Sequence, residues 1–227
     1  MHKNVKSKAI YHVAKLEEPL TIDCNWDKSQ WNTIDSIELK YFMGKLPEFQ
    51  PVVHVKLMYD TTNLYVIFRV NDHYVQCKTK DTNGCVWEDS CVEFFFAPDC
   101  SFPVKYFNLE TNCGGTALMK YTLIPKKDFK ILEPEDIKEI KIAHSLPEQI
   151  LNEIIEPVTW TIEYKMPFAI LEKYAKISHP APGISWRANF YKIADKTSNP
   201  HYLTWSFVDN AQPEFHLPGY FGTLVFQ

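Results

Sequence analysis

Residues 84–97 read GCVWEDSCVEFFFA, a polar turn followed by a β-strand. Alternation along the strand places Val92, Phe94 and Phe96 on one face. The other face carries a single charged residue, Glu93, between apolar neighbours. A carboxylate buried without a partner is costly, so Glu93 predicts a donor nearby, such as Arg187 or Arg69.

The same two-residue period of apolar, β-branched and aromatic residues recurs along the whole chain and predicts further strands. Those strands are predicted at residues 52–59, 64–70, 91–97, 105–113, 117–124, 160–166, 184–192, 203–207 and 221–226. Pro167 predicts the start of a short helix that reaches about Lys176. The more polar segment 125–157 is interpreted as a loop with an edge strand within residues 137–145.

This pattern predicts an all-β fold, an antiparallel β-sandwich of the jelly-roll or immunoglobulin-like kind with one or two short helices. A chain of 227 residues buries roughly 70% of its unfolded surface, which is enough for a core without covalent staples. The composition shows no break and the sequence no repeat, so residues 1–227 are predicted to form one domain.

Composition excludes several classes of function. Only 7 glycines occur, and neither a dinucleotide-binding nor a P-loop glycine string is present, which argues against those nucleotide-binding folds. The formal charge of −4, without a long basic run, argues against nucleic acid as a partner. Apolar stretches are only as long as strands, so no membrane-spanning segment is predicted. The oligomeric state stays open.

The N-terminal residues 1–10 have basic character but no apolar core after them, so no signal peptide is predicted and the chain as given is expected in the cytoplasm. Six cysteines occur without any Cys-x-x-Cys pair, which disfavours a zinc ribbon and favours free thiols. A disulfide among Cys77, Cys85 and Cys91 stays open as the alternative.

Two predicted strands present unusual polar faces. One carries Tyr106, Asn108, Glu110 and Asn112, and the other carries Arg187, Asn189 and Tyr191. Amides, carboxylates and a guanidinium suit sugar hydroxyls, because each hydroxyl both donates and accepts a hydrogen bond. The alternative is structural, with the charged groups pairing among themselves.

The tryptophans fall into two groups. Trp160 and Trp186 lie on the apolar faces of alternating strands and are predicted to be core residues. Trp87 precedes the polar run Glu88-Asp89-Ser90, and Trp205 precedes Val208-Asp209-Asn210. Tryptophans beside loops are better candidates for exposed platforms that cover the apolar face of a pyranose.

Four strings, taken in order, resemble carbohydrate-binding module family 9 and its stand-alone relatives. The first is residues 84–96, which resemble the family string Trp-x-Asp-Asp/Ser-x-Val-Glu followed by hydrophobic residues. The others are residues 60–66, DTTNLYV, residues 160–168, WTIEYKMPF, and Trp205 together with the closing FGTLVF at residues 221–226. The resemblance spans about residues 20–227.

This resemblance implies a non-catalytic β-sandwich that binds a mono- or oligosaccharide between two facing tryptophans, with calcium in a structural role. By position, Trp87 and Trp205 are the implied walls, and Glu93 the implied acceptor of sugar hydroxyls. The strand faces add Arg187 and Asn189, and with them Tyr191, Asn108 and Glu110, as candidate ligand-binding residues. Calcium ligands are not assigned, although Asp60, Asp72 and Asp89 offer oxygen donors.

Two alternatives stay open. A glycan-active enzyme that hydrolyses O-glycosyl bonds in carbohydrate catabolism needs two carboxylates about 5–10 Å apart, and Glu88, Asp89, Glu93 and Glu110 supply the residue type. A haem-binding module related to DOMON domains needs axial ligands. The candidates for those ligands are Met43, Met58, His54 and His73.

Overall fold

A computed structural model of the chain describes residues 8–99 and 104–227. The strands in these residues are β1 (Ile10–Lys15), β2 (Ile37–Leu39), β3 (Tyr41–Phe42), β4 (Val52–Tyr59), β5 (Asn63–Asp72), β6 (Val75–Cys77), β7 (Cys91–Ala97), β8 (Tyr106–Asn112), β9 (Ala117–Ile124), β10 (Asp128–Ile131), β11 (Lys141–His144), β12 (Ile150–Ile154), β13 (Val158–Pro167), β14 (Ser185–Ile193), β15 (Tyr202–Thr204) and β16 (Gly222–Phe226). The α-helices are α1 (Pro134–Lys138) and α2 (Phe168–Glu172). The fold is therefore mostly β with two short helices, as predicted.

Fourteen strands form one large curled sheet, whose main path runs β10-β9-β8-β7-β14-β16-β1-β4-β5-β13-β11. We call β7–β10, β14 and β16 the front sheet, and β4, β5, β11 and β13 the back sheet. Strand β1 joins them, because its first residues pair with β16 and its last two pair with β4. Both of these pairings are parallel, which corrects the prediction of a purely antiparallel sheet.

The main core lies between the two sheets. The alternation of the sequence assigns the inward faces correctly, since Val53, Phe68, Phe94 and Trp160 all belong to one buried cluster. Within this cluster the rings of Phe94 and Phe190 stack with centroids 4.7 Å apart. The prediction that Trp160 and Trp186 are core residues is confirmed. The jelly-roll or immunoglobulin-like connection of the strands stays a prediction.

Two segments differ from their predicted structure. Segment 125–157 holds β10, α1, β11 and β12 rather than a loop with one edge strand. Strand β11 pairs with β13, and β12 pairs with β6, so the chain returns to the sheet despite its polar composition. Helix α2 follows Pro167 as predicted but ends at Glu172 and not near Lys176. The backbone nitrogens of residues 173–175 still donate to the carbonyls of Ile170 and Leu171, so these residues form only its closing turn.

The N-terminal loop covers the outer face of the back sheet. Its apolar residues form a separate buried cluster with Met58, Tyr65 and Ile67 of the sheet. Glu163, on β13, is fully buried beneath this loop and accepts hydrogen bonds from the backbone nitrogens of Asp23 and Cys24. The loop is therefore held to the sheet through one carboxylate as well as through apolar contacts.

The cysteines that the structure describes form no disulfide bond. The free thiols among the described residues are Cys24, Cys77, Cys85, Cys91 and Cys113. Cys100, and the N-terminal residues on which the signal-peptide prediction depends most, lie outside the described residues. In the described part of the chain, no helix has the length and apolar character needed to cross a membrane.

Candidate functional site

The outer face of the front sheet carries the candidate site. Cross-strand register places Glu93 of β7 directly opposite Glu110 of β8. In the next row, Asn108 of β8 lies between Phe95 and Lys120. Because side chains alternate along each strand, these residues point away from the main core and form the floor of a site.

A cavity of about 260 Å³ opens above this floor. Its lining combines acidic, basic and aromatic side chains from the sheet with a wall built by residues 213–216. The lining residues are Trp87, Glu93, Phe95, Glu110, Lys120, Ile193, Tyr202, Pro213, Glu214, Phe215 and His216.

Trp87 stands at the rim on a single 3₁₀ turn, Val86–Glu88, immediately before β7. Val86 is buried and anchors the turn, and the backbone nitrogen of Lys196 donates to the carbonyl of Glu88 at 3.0 Å. The Trp87 ring is half-buried, with the ammonium of Lys120 5.4 Å from the ring centroid. The turn chemistry before the strand therefore presents an aromatic face to the cavity.

The two carboxylates of the floor are buried, with Glu93 2% and Glu110 4% exposed. Asn108 Nδ2 donates to Glu110 Oε1 at 2.7 Å. Among the described residues, no hydrogen bond or ion pair reaches the carboxylate of Glu93, which leaves its oxygens available to a ligand. The expected partner Arg187 instead donates from Nε to the carbonyl of Gly222 at 3.0 Å.

Burial and mutual repulsion change the acidity of this pair. Burial, followed by the charge of Glu110, raises the pKa of Glu93 well above its usual range. Burial also raises the pKa of Glu110 to about 7, although the charge of Lys120 opposes the rise. Near neutral pH the pair therefore does not carry two full negative charges, and a protonated carboxyl can donate as well as accept.

His216 lines the opposite side of the cavity. Its Nδ1 lies 2.6 Å from the hydroxyl of Tyr106 on β8. Burial, together with the charges of Lys120 and Lys126, lowers the pKa of His216 to about 4. The imidazole is therefore neutral near pH 7, and the site offers neutral hydrogen-bonding groups beside its carboxyl pair.

Comparison with known proteins identifies the family. The family model described as Carbohydrate-binding family 9 matches residues 19–226. This chain belongs to carbohydrate-binding family 9. Among curated proteins, no relative matches the chain.

Solved structures share the fold of this chain. A crystal structure from Bacteroides uniformis superposes with a TM-score of 0.87 at 26% identity, covering 97% of this chain and 100% of that one. A family 9 module from Caldicellulosiruptor kristjanssonii, in complex with cellotriose, gives a TM-score of 0.63 at 14% identity and covers 96% of this chain and 94% of that one. The same organism's module in complex with glucose gives 0.60 at 14% identity, with 96% of each chain covered.

The cavity of this family 9 chain contains only part of the predicted set. Trp87, Glu93 and Glu110 come together in its lining, and Asn108, next to Glu110 on the same face of β8, donates a hydrogen bond to it. Asn108 keeps one buried amide oxygen, Oδ1, without a hydrogen-bond partner. Strand faces and the family string predict these four residues, and the structure brings them together at one cavity.

Three further predicted residues lie on the same sheet face but are engaged by the protein itself. The amide of Asn189 donates to the carbonyl of Ser206 and accepts from the Ser206 backbone nitrogen at 2.8 Å. The hydroxyl of Tyr191 donates to the carbonyl of Phe215 at 3.1 Å, and the two rings stack. Tyr191 therefore supports the cavity wall from beneath, whereas Asn189 and Arg187 bind backbone groups outside that wall.

Trp205 does not lie at the cavity. It is 7% exposed and belongs to the main core between the sheets, where its ring centroid is 5.6 Å from that of Phe190. The expectation of an exposed platform was wrong, because the tryptophan follows β15 and its side chain turns inward. Tyr202 and Phe215 supply aromatic surface to the cavity instead.

Sequence reasoning missed Lys120, Tyr202 and Phe215 among the lining residues. Lys120 follows from the alternation of β9 once the register of the β8–β9 hairpin is known. Residues 209–217 have no strand or helix period, so only the three-dimensional structure shows that they form a wall.

The candidate metal and haem ligands are otherwise engaged. Asp60 accepts from the backbone nitrogens of Thr62 and Asn63, and Asp89 accepts from those of Lys78 and Thr79. The Asp60 carboxylate therefore closes a turn, and the Asp89 carboxylate holds the backbone of residues 78–79. No group of three or more His, Cys, Asp or Glu in residues 8–99 and 104–227 could hold a metal ion.

Asp72, Met43 and Met58 are buried in the protein, whereas His54 and His73 are partly exposed. Asp72 Oδ2 lies 3.1 Å from the ammonium of Lys192, with both side chains fully buried. Met43 and Met58 are buried in two different hydrophobic clusters. Neither set provides a shared site.

Proposed function

We propose that this chain is a non-catalytic, single-domain carbohydrate-binding protein that holds a sugar ring in the front-sheet cavity. The observation that carries the proposal is the pair Glu93 and Glu110, buried side by side on the floor beneath Trp87. The Glu93 carboxylate has no hydrogen bond or ion pair from the described residues, so a ligand that donates hydrogen bonds would satisfy it.

The chemistry of the lining matches a pyranose. Its hydroxyls donate to carboxylate oxygens and accept from the ammonium of Lys120, while its apolar C–H face covers the Trp87 ring. In this proposal Tyr202 and Phe215 provide the second aromatic surface that family resemblance had assigned to Trp205. The cavity of about 260 Å³ suits a single sugar ring rather than a long buried chain.

The relatives support the same ligand class. The two family 9 structures from Caldicellulosiruptor kristjanssonii share this fold and hold cellotriose and glucose. We therefore propose mono- and oligosaccharides as the ligands of this chain.

The test is calorimetric titration with glucose, xylose, cellotriose and xylotriose, each compared with its alditol. We expect saturable binding that Trp87→Ala weakens by at least tenfold, because the stacking surface is removed. Trp26→Ala is a matched control, since Trp26 is also half-buried beneath a lysine, with Lys56 Nζ 4.7 Å from its ring, but lies on the N-terminal loop of the back sheet. The proposal fails if the wild type binds none of these sugars, or if both variants lose binding equally.

A hydrolytic activity is not part of the proposal. Glu93 and Glu110 are adjacent on one floor, whereas the two carboxyl groups of a glycosidase flank the scissile bond. We expect no product from aryl glycosides incubated with the protein, and release of the aryl group that Glu93→Gln abolishes would contradict the non-catalytic assignment.

A further inference from the structure

The β9–β10 hairpin extends the site face beyond the cavity. Strand β10 is the last strand of the front sheet, and all four of its residues are exposed. Two of them are large and apolar, with Phe129 46% and Ile131 48% exposed. Large apolar side chains on an exposed edge are unfavourable unless they contact a partner.

Register places these two residues on the same face as the cavity. Phe129 pairs with Thr122, and Ile131 pairs with Lys120, which itself lines the cavity. The ammonium of Lys120 lies 5.3 Å from the ring centroid of Phe129 and 5.4 Å from that of Trp87. One lysine therefore lies between two aromatic rings, one at the cavity rim and one outside it.

The hairpin turn is tied to the cavity wall. Lys126, at the turn, has a left-handed backbone with φ of 60° and forms an ion pair with Glu214. Glu214 belongs to the wall that lines the cavity. This link holds the hairpin, and with it Phe129, alongside the cavity opening.

We propose that Phe129 is a second aromatic platform, which takes the next sugar unit of an oligosaccharide whose first unit occupies the cavity. This inference rests on the proposed function and narrows its ligand class to oligosaccharides of two or more units. Lys120, between the two rings, donates to hydroxyls of both units. The apolar C–H face of the second pyranose covers the exposed ring.

A second copy of the chain is the other occupant that an exposed edge strand could attract. The turn and strand that carry Phe129 also present Lys126, Lys127 and Lys130, all exposed. Lysines on an edge oppose strand-to-strand pairing between identical chains, because like charges would meet. A neutral sugar meets no such repulsion, so the charge pattern favours the oligosaccharide.

Calorimetry with two matched sugar pairs, glucose with cellotriose and xylose with xylotriose, tests the inference. For the pair that binds, we expect the trisaccharide to bind the wild type about three- to tenfold more tightly than the monosaccharide. Phe129→Ala should remove this gain and leave the monosaccharide Kd unchanged. Leu151→Ala, which removes a 63% exposed apolar side chain from β12, should keep the gain.

Each other outcome overturns the inference in a recognisable way. Equal affinity of the wild type for both members of a pair, or an unaltered gain in Phe129→Ala, removes the second platform but leaves the cavity proposal intact. Loss of monosaccharide binding in Phe129→Ala would place Phe129 in the first site instead. A wild-type dimer that Phe129→Ala converts to a monomer would assign the patch to self-association, and absence of all sugar binding would refute both proposals.

Discussion

Glu163 on the back sheet and Glu93 on the front sheet are both buried carboxylates on outer sheet faces, yet their surroundings differ. Glu163 accepts from the backbone nitrogens of Asp23 and Cys24, from Lys28 Nζ at 2.8 Å and from Trp31 Nε1 at 2.8 Å. The carboxylate of Glu93 receives no such donor from the described residues.

This difference distinguishes a carboxylate with a structural role from one whose oxygens are available to a ligand. The Glu163 carboxylate already accepts hydrogen bonds from four protein groups, and these bonds hold the N-terminal loop on the sheet. A buried carboxylate beside a cavity, with Glu110 next to it, destabilises the folded chain unless it takes up a proton or meets a ligand. Such strain at a cavity is expected of a binding site rather than of a scaffold.

The largest expected effect belongs to the back sheet. Glu163→Ala leaves the indole nitrogen of Trp31 and the backbone nitrogens of the loop without their acceptor and removes the buried partner of Lys28. We therefore expect a loss of about 3–5 kcal/mol in the free energy of unfolding. Glu93→Gln is the matched control and should change that free energy by less than about 1 kcal/mol at pH 7. Denaturant unfolding measures both, and equal losses would abolish the distinction between the two carboxylates.

Trp205 and Trp87 provide a second comparison of a structural residue with a site residue, in which the expected loss of stability is slightly smaller. Trp205→Ala removes a core side chain that is 7% exposed, so we expect about 3 kcal/mol of lost stability with sugar affinity retained by the folded fraction. Trp87→Ala should show the reverse, weaker sugar binding with a smaller change in stability, because its ring is only half-buried. Loss of sugar affinity in folded Trp205→Ala would restore Trp205 as part of the site.

These tryptophans also show what sequence alone could predict. Strand alternation identified most of the sheet. It put Asn108 and Glu110 on one face of their strand and Glu93 on the face opposite Phe94 of another, because such a face depends only on the parity of positions along a strand. The register that brings Glu93 next to Glu110 required the structure. The prediction of an exposed Trp205 failed because a position beside a loop does not determine which way the side chain points. Its contact with Phe190 depends on how β15 lies on β14.

Long-range contacts account for the other failures. The parallel pairing of β1 with β16 joins residues at opposite ends of the chain, and that of β1 with β4 joins strands separated by more than 35 residues. Local patterns do not encode such pairing. The wall at residues 213–216 lacks any period, so its position over the sheet could not be predicted. Likewise, the sequence shows Glu163 only as one residue of a family string. Its four donors lie in residues 23–31, more than 130 positions away, so their contact with Glu163 could not be predicted.

An intermediate effect concerns the pH dependence of stability. Since the folded-state pKa of Glu110 is raised from 4.5 to about 7, the folded chain binds more protons than the unfolded chain in that window. Glu110 therefore stabilises the fold fully below about pH 4.5, and this contribution falls as pH rises towards 7. The contribution of Glu110 is on the order of 3 kcal/mol.

The measurement is the difference in unfolding free energy between wild type and Glu110→Gln from pH 4.5 to 7.5. A difference is needed because His216 and His201, with pKa values lowered to about 4 and about 3, act with the opposite sign and make the fold less stable as pH falls below 6.5. We expect wild type to lose its advantage over the variant as pH rises. A difference that stays constant with pH would show that Glu110 is not strained.

The smallest expected effect tests whether burial, rather than charge pairing itself, explains the large contribution of Glu163 to stability. Lys126 pairs with Glu214 at the hairpin turn, but the lysine side chain is 64% exposed, whereas Lys28 beside Glu163 is 10% exposed. Water already solvates Lys126, so Lys126→Met should cost less than about 1 kcal/mol of unfolding free energy. Lys28→Met should cost several times more, because Glu163 would then be buried without its cation. Denaturant unfolding of the two variants at equal salt compares them directly, and equal costs would mean that exposure does not decide the value of an ion pair in this fold.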